Sequence, residues 1–230
     1  MVHSGDRRHV GVRRRLASDH LSGSGIEIGA LFLPLSVPRT ASVRYVDRFP
    51  VPVLREHYPE LHDVDFVTPD VLDDGERLAT FADGSLDFVI ANHFIEHCGD
   101  PIGTLENQLR VLRKGGVLYM AVPDCRLTFD RDRPITSVEH LQKDHSDGPA
   151  GSRRQHFEEW ASHVDHAQGS DVFARADELE SQDYSIHFHV WTPTAFVEFL
   201  TYCRSQCAMP FEIDAVERND HEFIVILRRA

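Results

Sequence analysis

The sequence predicts an α/β fold: a mostly parallel sheet with helices on both faces, finishing in an antiparallel hairpin. Three observations predict it. Ile26-Glu27-Ile28 is a short apolar strand that stops at Gly29. A second strand, Val43-Arg44-Tyr45-Val46, is capped by an acid, Asp47. Leu86-Asp87-Phe88-Val89-Ile90-Ala91 is a near-continuous apolar run, the pattern of a parallel strand buried on both faces. A strand ending in glycine, then one ending in an acid, is the first half of a nucleotide-binding unit. The glycine admits a ligand close to the backbone, and the acid accepts both hydroxyls of a ribose.

The other elements follow in chain order. Residues 1–22 read as a polar arm with a short helix over 12–21, closed by Ser22-Gly23-Ser24-Gly25. Ala30-Leu31-Phe32-Leu33-Pro34 is an apolar loop. A short helix is expected over 53–58, stopped by Pro59, and a third strand around 64–67. An acid-rich loop begins at Asp70, and residues 76–81 make a helical turn or two. Leu105, Leu109 and Leu112 at helical spacing predict a helix over 101–112, ended by Lys114-Gly115-Gly116: a cation in the last turn, then glycine. A fifth strand is expected over 117–122. Repeated strand and helix at short intervals predict right-handed crossovers and a parallel sheet. Residues 125–186 break this rhythm and read as an inserted lid or acceptor-binding region within a single domain of 1–230. Phe196, Val197 and Leu200 mark an amphipathic helix over 193–203. Residues 211–216 and 223–227 read as a hairpin turning at 217–220.

Composition narrows the function. The net charge of −13 argues against a general nucleic-acid surface, which needs concentrated Lys and Arg. The basic cluster of Arg7, Arg8, Arg13, Arg14 and Arg15 reads as a solvated or helix-end feature against an RNA or lipid contact. No apolar run reaches the ~20 residues that span a bilayer, and the N-terminus lacks a signal peptide's apolar core. Cys98, Cys125, Cys203 and Cys207 fit neither a disulfide framework nor a paired zinc motif. They read as reduced thiols, so a cytoplasmic location is expected.

Four segments, in order, resemble a known family. They are Glu27-Ile28-Gly29, Tyr45-Val46-Asp47, Leu86-Asp87-Phe88-Val89-Ile90, and Arg110-Val111-Leu112-Arg113-Lys114-Gly115-Gly116-Val117-Leu118. Between the last two, Asn92-His93-Phe94-Ile95-Glu96-His97 is similar to the family's short segment ending in Glu-His. The chain thus resembles the class I S-adenosylmethionine-dependent methyltransferases, nearest the type 11 subgroup, well over residues 20–125 and in topology over 187–230. The resemblance implies a Rossmann-like, doubly wound, seven-stranded sheet with an antiparallel last strand, and S-adenosyl-L-methionine as cofactor. It implies that Glu27, Gly29 and Ala30 shape the loop under the cofactor, that Asp47 holds its ribose hydroxyls, that Asp70 and Val71 flank its adenine, and that Asn92 and His93 face the transferring methyl. The chain departs from the family in the first loop, where a single glycine is followed by Ala30, Leu31 and Phe32. The same loop disfavours a dehydrogenase, which needs G-x-G-x-x-G to seat a pyrophosphate.

The remaining constellations carry paired readings. His93-Phe94-Ile95-Glu96-His97 matches H-x-x-E-H, a zinc-peptidase pattern, but it follows a buried strand directly where a helix is required. Loop positioning or contact with substrate or cofactor fits it better. His163-Val164-Asp165-His166 offers metal-ligand types at loop spacing, read as solvated or lining the acceptor pocket, and no metal is assigned. His187 and His189, two apart in an extended stretch, are expected on one face of a strand, from which either could supply a general base. Phe129-Asp130-Arg131-Asp132-Arg133-Pro134 reads as a surface salt-bridge loop or as a contact for a hydroxyl-rich acceptor.

The expected function is methyl transfer to a small-molecule or sugar-containing acceptor, with a base among His93, His187 and His189. The alternative is a non-catalytic binding module of the same fold. The oligomeric state is left open, a homodimer included.

Overall fold

The computed structural model describes residues 4–61 and 63–230. The side chains of Arg7 and Arg8 lie outside the described residues. Seven strands form one sheet: β1 (Gly23–Ile28), β2 (Ala41–Asp47), β3 (Val71–Leu72), β4 (Leu86–Asn92), β5 (Leu112–Pro123), β6 (Phe211–Asn219) and β7 (Glu222–Arg229). Their order is β3-β2-β1-β4-β5-β7-β6. The first five run parallel, and β7 runs antiparallel to both β5 and β6. The expected fold is what forms. The chain leaves β1 outward toward β2 and leaves β4 in the opposite direction toward β5, so the strand order reverses between β1 and β4. Open α/β sheets bind ligands at that point, beyond the strands' C-terminal ends.

Alternation along β4 splits the core. Phe88 and Ile90 point to one face with Tyr119, Ala121, Ile224 and Ile226, covered by Leu16, Ala17 and Leu21 of α1 (Ser4–His20) and its exit. Val89 and Ala91 point to the other, against α3 (Pro101–Val111) and α7 (Pro193–Ser205). Both helices begin as their sequences dictate. Asp100 caps α3 by accepting from Gly103 N at 2.9 Å, Thr192 caps α7 by accepting from Ala195 N at 3.2 Å, and each cap is followed by proline, which needs no partner in the first turn. The β1–β2 connection has no helix. Leu35 plugs the sheet there instead.

Several boundaries differ from expectation. Residues 64–67 are not a strand. The third strand is Val71–Leu72, paired to Val46 and Asp47, because Val67 N is spent on Leu31 O at 2.6 Å. The stretch 76–81 forms turns without a helix. Lys114 and the two following glycines sit inside the extended range of β5. Four further helices stand outside this frame in sequence: α2 (Val51–His57) follows β2, and the insertion folds as α4 (Val138–Asp147), α5 (Ala150–His163) and α6 (Asp171–Ser181). Phe157, Trp160, Ala161, Ala176, Leu179 and Ile186 give α5 and α6 a small core of their own.

Gly25 is fixed by close approach. A Cβ there would lie 2.3 Å from Phe88 Cδ2 and 2.4 Å from the Phe88 carbonyl oxygen. Backbone on β4 cannot yield without breaking the β1–β4 ladder. Gly25→Ala is therefore expected to destabilise by about 1–3 kcal/mol, the range for overpacking a tight core, read as a lower midpoint in urea unfolding. An unchanged midpoint would refute this account of the contact.

Candidate active site

A cleft of about 1120 Å³ opens at the C-terminal ends of β1, β2 and β4. It exceeds the ~300–1,000 Å³ of a site for one small ligand. Its floor comes from the sheet and its outer wall from the insertion, Ser152, Arg153 and His156 on α5 and then Tyr184, with Phe188 from just beyond the insertion.

The loop after β1 is held by Glu27. This side chain is 1% exposed, and both carboxylate oxygens accept from Leu35 N, at 2.9 and 3.0 Å. Burial pushes its pKa up to about 7, against the opposing pull of the Leu35 N–H and the Arg13 charge. Gly29 turns the chain with φ +63° in open space, and its N–H donates to Val46 O at 2.9 Å. Leu31 follows with φ 47°, a conformation unusual for a leucine. Ala30, Leu31 and Phe32 thus line the cleft where the family carries further glycines.

Asp47 ends β2 in the cleft wall. Burial raises its pKa, and its Oδ1 accepts from Phe49 N only at 3.4 Å. Asp70 and Val71 do not line the cleft: the Asp70 carboxylate turns back to accept from Tyr45 N at 2.8 Å. Asp74, Gly75, Glu76 and Arg77 border the cleft on that side. These residues were missed from sequence because the third strand lies later than its apolar pattern suggests.

At the exit of β4 stand Asn92 and His93, both in the cleft. Asn92 Oδ1 and Nδ2 are buried without a hydrogen-bond partner. The amide approaches Glu27 closely enough to favour its ionised form, short of a well-formed hydrogen bond. His93 has φ 47°, so the chain turns sharply and aims the ring back across the sheet. Its Nε2 lies 2.6 Å from Glu222 Oε2, and its Nδ1 lies 3.6 Å from Glu96 Oε1. Glu222, at the start of β7, also accepts from Arg13 Nε at 2.8 Å and Asn219 Nδ2 at 2.6 Å. Burial works against ionisation of Glu222, but Arg13 and His93 outweigh it and hold its pKa down to about 2. Burial alone would lower the His93 pKa; the Glu222 hydrogen bond and the nearby carboxylates reverse this and raise it. Arg13 therefore belongs to the site's support. Glu222 and Arg13 were invisible from sequence because they lie 209 positions apart.

Ile95–His97 form a single 3-10 turn. His97 Nδ1 donates to Ile186 O, 2.8 Å away, and burial drops its pKa to about 3. His93 and His97 fall in separate side-chain groups, so the peptidase pattern does not assemble. The stretch holding His187 and His189 is not a strand, and the two rings part company. His187 Nδ1 meets Asp130 Oδ2 at 2.7 Å, while His189 packs among His140, His156 and Trp191. Neither lines the cleft. Asp130 and Arg133 are each 1% exposed and paired at 3.0 Å, so of that loop's charged residues Arg131 and Asp132 are the ones on the surface. His163 and His166 join no ligand-like group among the described residues.

Comparisons with known proteins decide the class. Residues 22–120 match the model of the methyltransferase domain. That stretch, a little under half of the chain, carries the methyltransferase match, consistent with a class I, S-adenosylmethionine-dependent methyltransferase. No curated protein sequence matches the chain. Among solved structures, it is similar to a Rhodobacter sphaeroides protein named as a Zn-dependent alcohol dehydrogenase, with 15% identity, a TM-score of 0.56, and 98% of this chain and 90% of that one covered. It is also similar to the PH0226 protein of Pyrococcus horikoshii OT3, with 15% identity, a TM-score of 0.52, and 100% and 93% covered. A third likeness is to a Haloferax volcanii complex of the Trm112 methyltransferase activator with a methyltransferase, with 13% identity, a TM-score of 0.52, and 97% and 91% covered. At these identities the likeness is one of fold.

The residues present fit S-adenosylmethionine. Asp47 offers a carboxylate at the strand end with spare acceptor capacity, Gly29 leaves its Cβ direction open, and Asn92 brings an orphaned amide into the cleft. Among the described residues no helix is long and apolar enough to cross a membrane.

Proposed function

We propose that this methyltransferase acts on a hydroxyl of a small-molecule or sugar-containing acceptor, with His93 as the general base. The observation that carries this reading is the His93–Glu222 pair at the exit of β4. An ionised Glu222 can only accept, so the hydrogen bond fixes the proton of neutral His93 on Nε2 and leaves the Nδ1 lone pair free. When bound, S-adenosylmethionine supplies a methyl already activated by its sulfonium. The chain then has two tasks: to align the acceptor and to take its proton. Asp47 would hold the ribose, with Glu27, Gly29 and Ala30 shaping the loop beneath the amino acid. Asp70 and Val71 would support the adenine end through β3. Asn92 Nδ2 would meet a polar group of the methionine end.

The acceptor side is the wall built by the insertion at 125–186. It brings Arg153, Asp183 and Tyr184 to the cleft, which Phe188, from just beyond the insertion, and Glu76 also line. Aromatic faces flanked by fixed charges suit a hydroxyl-rich molecule better than an apolar one. The formal charge of −13 supports an acceptor other than nucleic acid. The test is transfer of labelled methyl from S-adenosylmethionine in a fractionated cell extract. Label in the small-molecule or glycan fraction is expected. Label confined to RNA or to protein would overturn the acceptor class.

A further inference from the structure

The insertion builds a second polar centre beside the cleft. His140 and Asp144 lie on one face of α4, four residues apart. His156 comes from α5, and His189 from the stretch leading into α7. The four ligand atoms lie within 4.8 Å of one another. His140 Nε2 is 3.1 Å from His156 Nε2 and 3.1 Å from Asp144 Oδ2. Asp144 Oδ2 is 3.9 Å from His156 Nε2 and 3.7 Å from His189 Nε2. We propose that His140, Asp144, His156 and His189 bind one zinc ion in a closed, four-coordinate site.

Geometry and donor chemistry both fit. Zinc bonds imidazole nitrogen and carboxylate oxygen at about 2.0–2.1 Å, so the edges of its tetrahedron are about 3.3 Å. The separations of 3.1 to 3.9 Å bracket that length, and small ring rotations would equalise them. Three nitrogens and one carboxylate oxygen suit a borderline cation and not magnesium or calcium, which prefer oxygen ligands.

Burial supplies the independent observation. Asp144 is 2% exposed and His189 is fully buried. Asp144 Oδ2 has no hydrogen-bond partner, the 3.1 Å approach of His140 not being in hydrogen-bonding geometry, and His189 Nε2 has none either. A buried carboxylate oxygen and a buried imidazole nitrogen left unpaired are costly, and a cation at their centre satisfies both. Asp144 is held from behind, its Oδ1 accepting from Ser152 Oγ at 2.5 Å, the support that metal-binding carboxylates generally receive. Of the other two His-carboxylate groups among the described residues, one also holds a buried carboxylate without a partner, that of Glu96, but both of its imidazoles are already bonded. Glu222 is committed to Arg13, His93 and Asn219, while His97 and His187 bond Ile186 O and Asp130.

With four protein ligands the ion is structural: no position remains for a water. It fastens α4 and α5 to the stretch entering α7. Because His156 and its neighbour Ser152 also line the cleft, the ion fixes the acceptor-side wall.

The test is metal analysis of the full chain, purified without a histidine tag or chelator. The expected result is about one zinc per chain, falling to about one-tenth or less in Asp144→Asn and His189→Gln, since removing one of four ligands usually destroys such affinity. His163→Gln, outside the cluster, keeps its zinc. His140→Gln, at the half-buried corner, guards against misfolding: it should fold and lose the metal. In wild type, chelation lowers the melting temperature, and zinc but not magnesium restores it. Cobalt substitution gives the intense visible absorption of four-coordinate sites. Wild type that holds less than about one-tenth of an equivalent after exposure to zinc, with no cobalt band and no thermal shift, overturns the proposal and leaves a hydrogen-bonded histidine network. None of these readouts depends on methyl transfer.

Discussion

Asp47→Ala is expected to weaken binding of S-adenosylhomocysteine by roughly 30- to 150-fold in calorimetric titration, from hydrogen bonds to a charged group worth about 2–3 kcal/mol in all. The reasoning starts from the strand. β2 is parallel, so its carboxyl end faces the cleft, and Asp47 is the residue at that end. Its backbone contact to Phe49 N, at 3.4 Å, is long. Burial outweighs the Phe49 and Arg48 N–H groups and raises its pKa, and its place in the cleft wall leaves it available to a ligand's hydroxyls. The same lack of structural commitment predicts that the variant folds, so unfolding midpoints within about 0.5 kcal/mol of wild type are expected. Unchanged affinity would mean that the ribose is held elsewhere. Failure of the wild type itself to bind would mean that Leu31 and Phe32 close the cleft, and the binding-module reading would then take precedence.

How far the site was legible depends on how local its causes are. The strands β1, β2 and β4 are written in short apolar runs, and the residues at their ends follow from strand direction. Glu27, Gly29, Ala30, Asp47, Asn92 and His93 all reach the cleft for this reason. Asp70 did not, because β3 is two residues long and its register is set by partners on β2, not by its own pattern. The extended look of the stretch around His187 and His189 misled for a related reason. Its alternation of His with Ile, Phe and Val mimics a strand, but Phe188 N and His189 N both donate to Glu96 O, and that local bend sends the two rings to different clusters. Glu222, Arg13 and the His140–Asp144–His156–His189 group are invisible to local reading. They converge only when β7 and the insertion are folded back onto the sheet. Histidine count signals such a group without saying which members meet.

His93→Ala is expected to lower kcat by about 10²- to 10⁴-fold, the span for a lost general base, with smaller effects on cofactor affinity. The pH profile gives the sharper check. A base must be neutral, so kcat rises as pH rises through the raised His93 pKa. Glu222→Gln removes the carboxylate that raises it, and the acid limb of the profile should move to lower pH. A limb that stays in place would assign it to another group. The same pair has a stability signature. His93, with its folded pKa above the ordinary 6.5, contributes fully below that value and loses its contribution as pH rises through the folded pKa. Glu222, held down to about 2 from 4.5, contributes above 4.5 and loses its contribution as pH falls toward 2. The two contributions overlap fully between pH 4.5 and 6.5. There the destabilisation by Glu222→Gln should be largest, about 3 kcal/mol, since removing the acid leaves the half-buried Arg13 and His93 without their shared counter-charge. Destabilisation that is flat across pH would show that Glu222 acts through packing alone, and the tautomer argument for His93 would lose its basis.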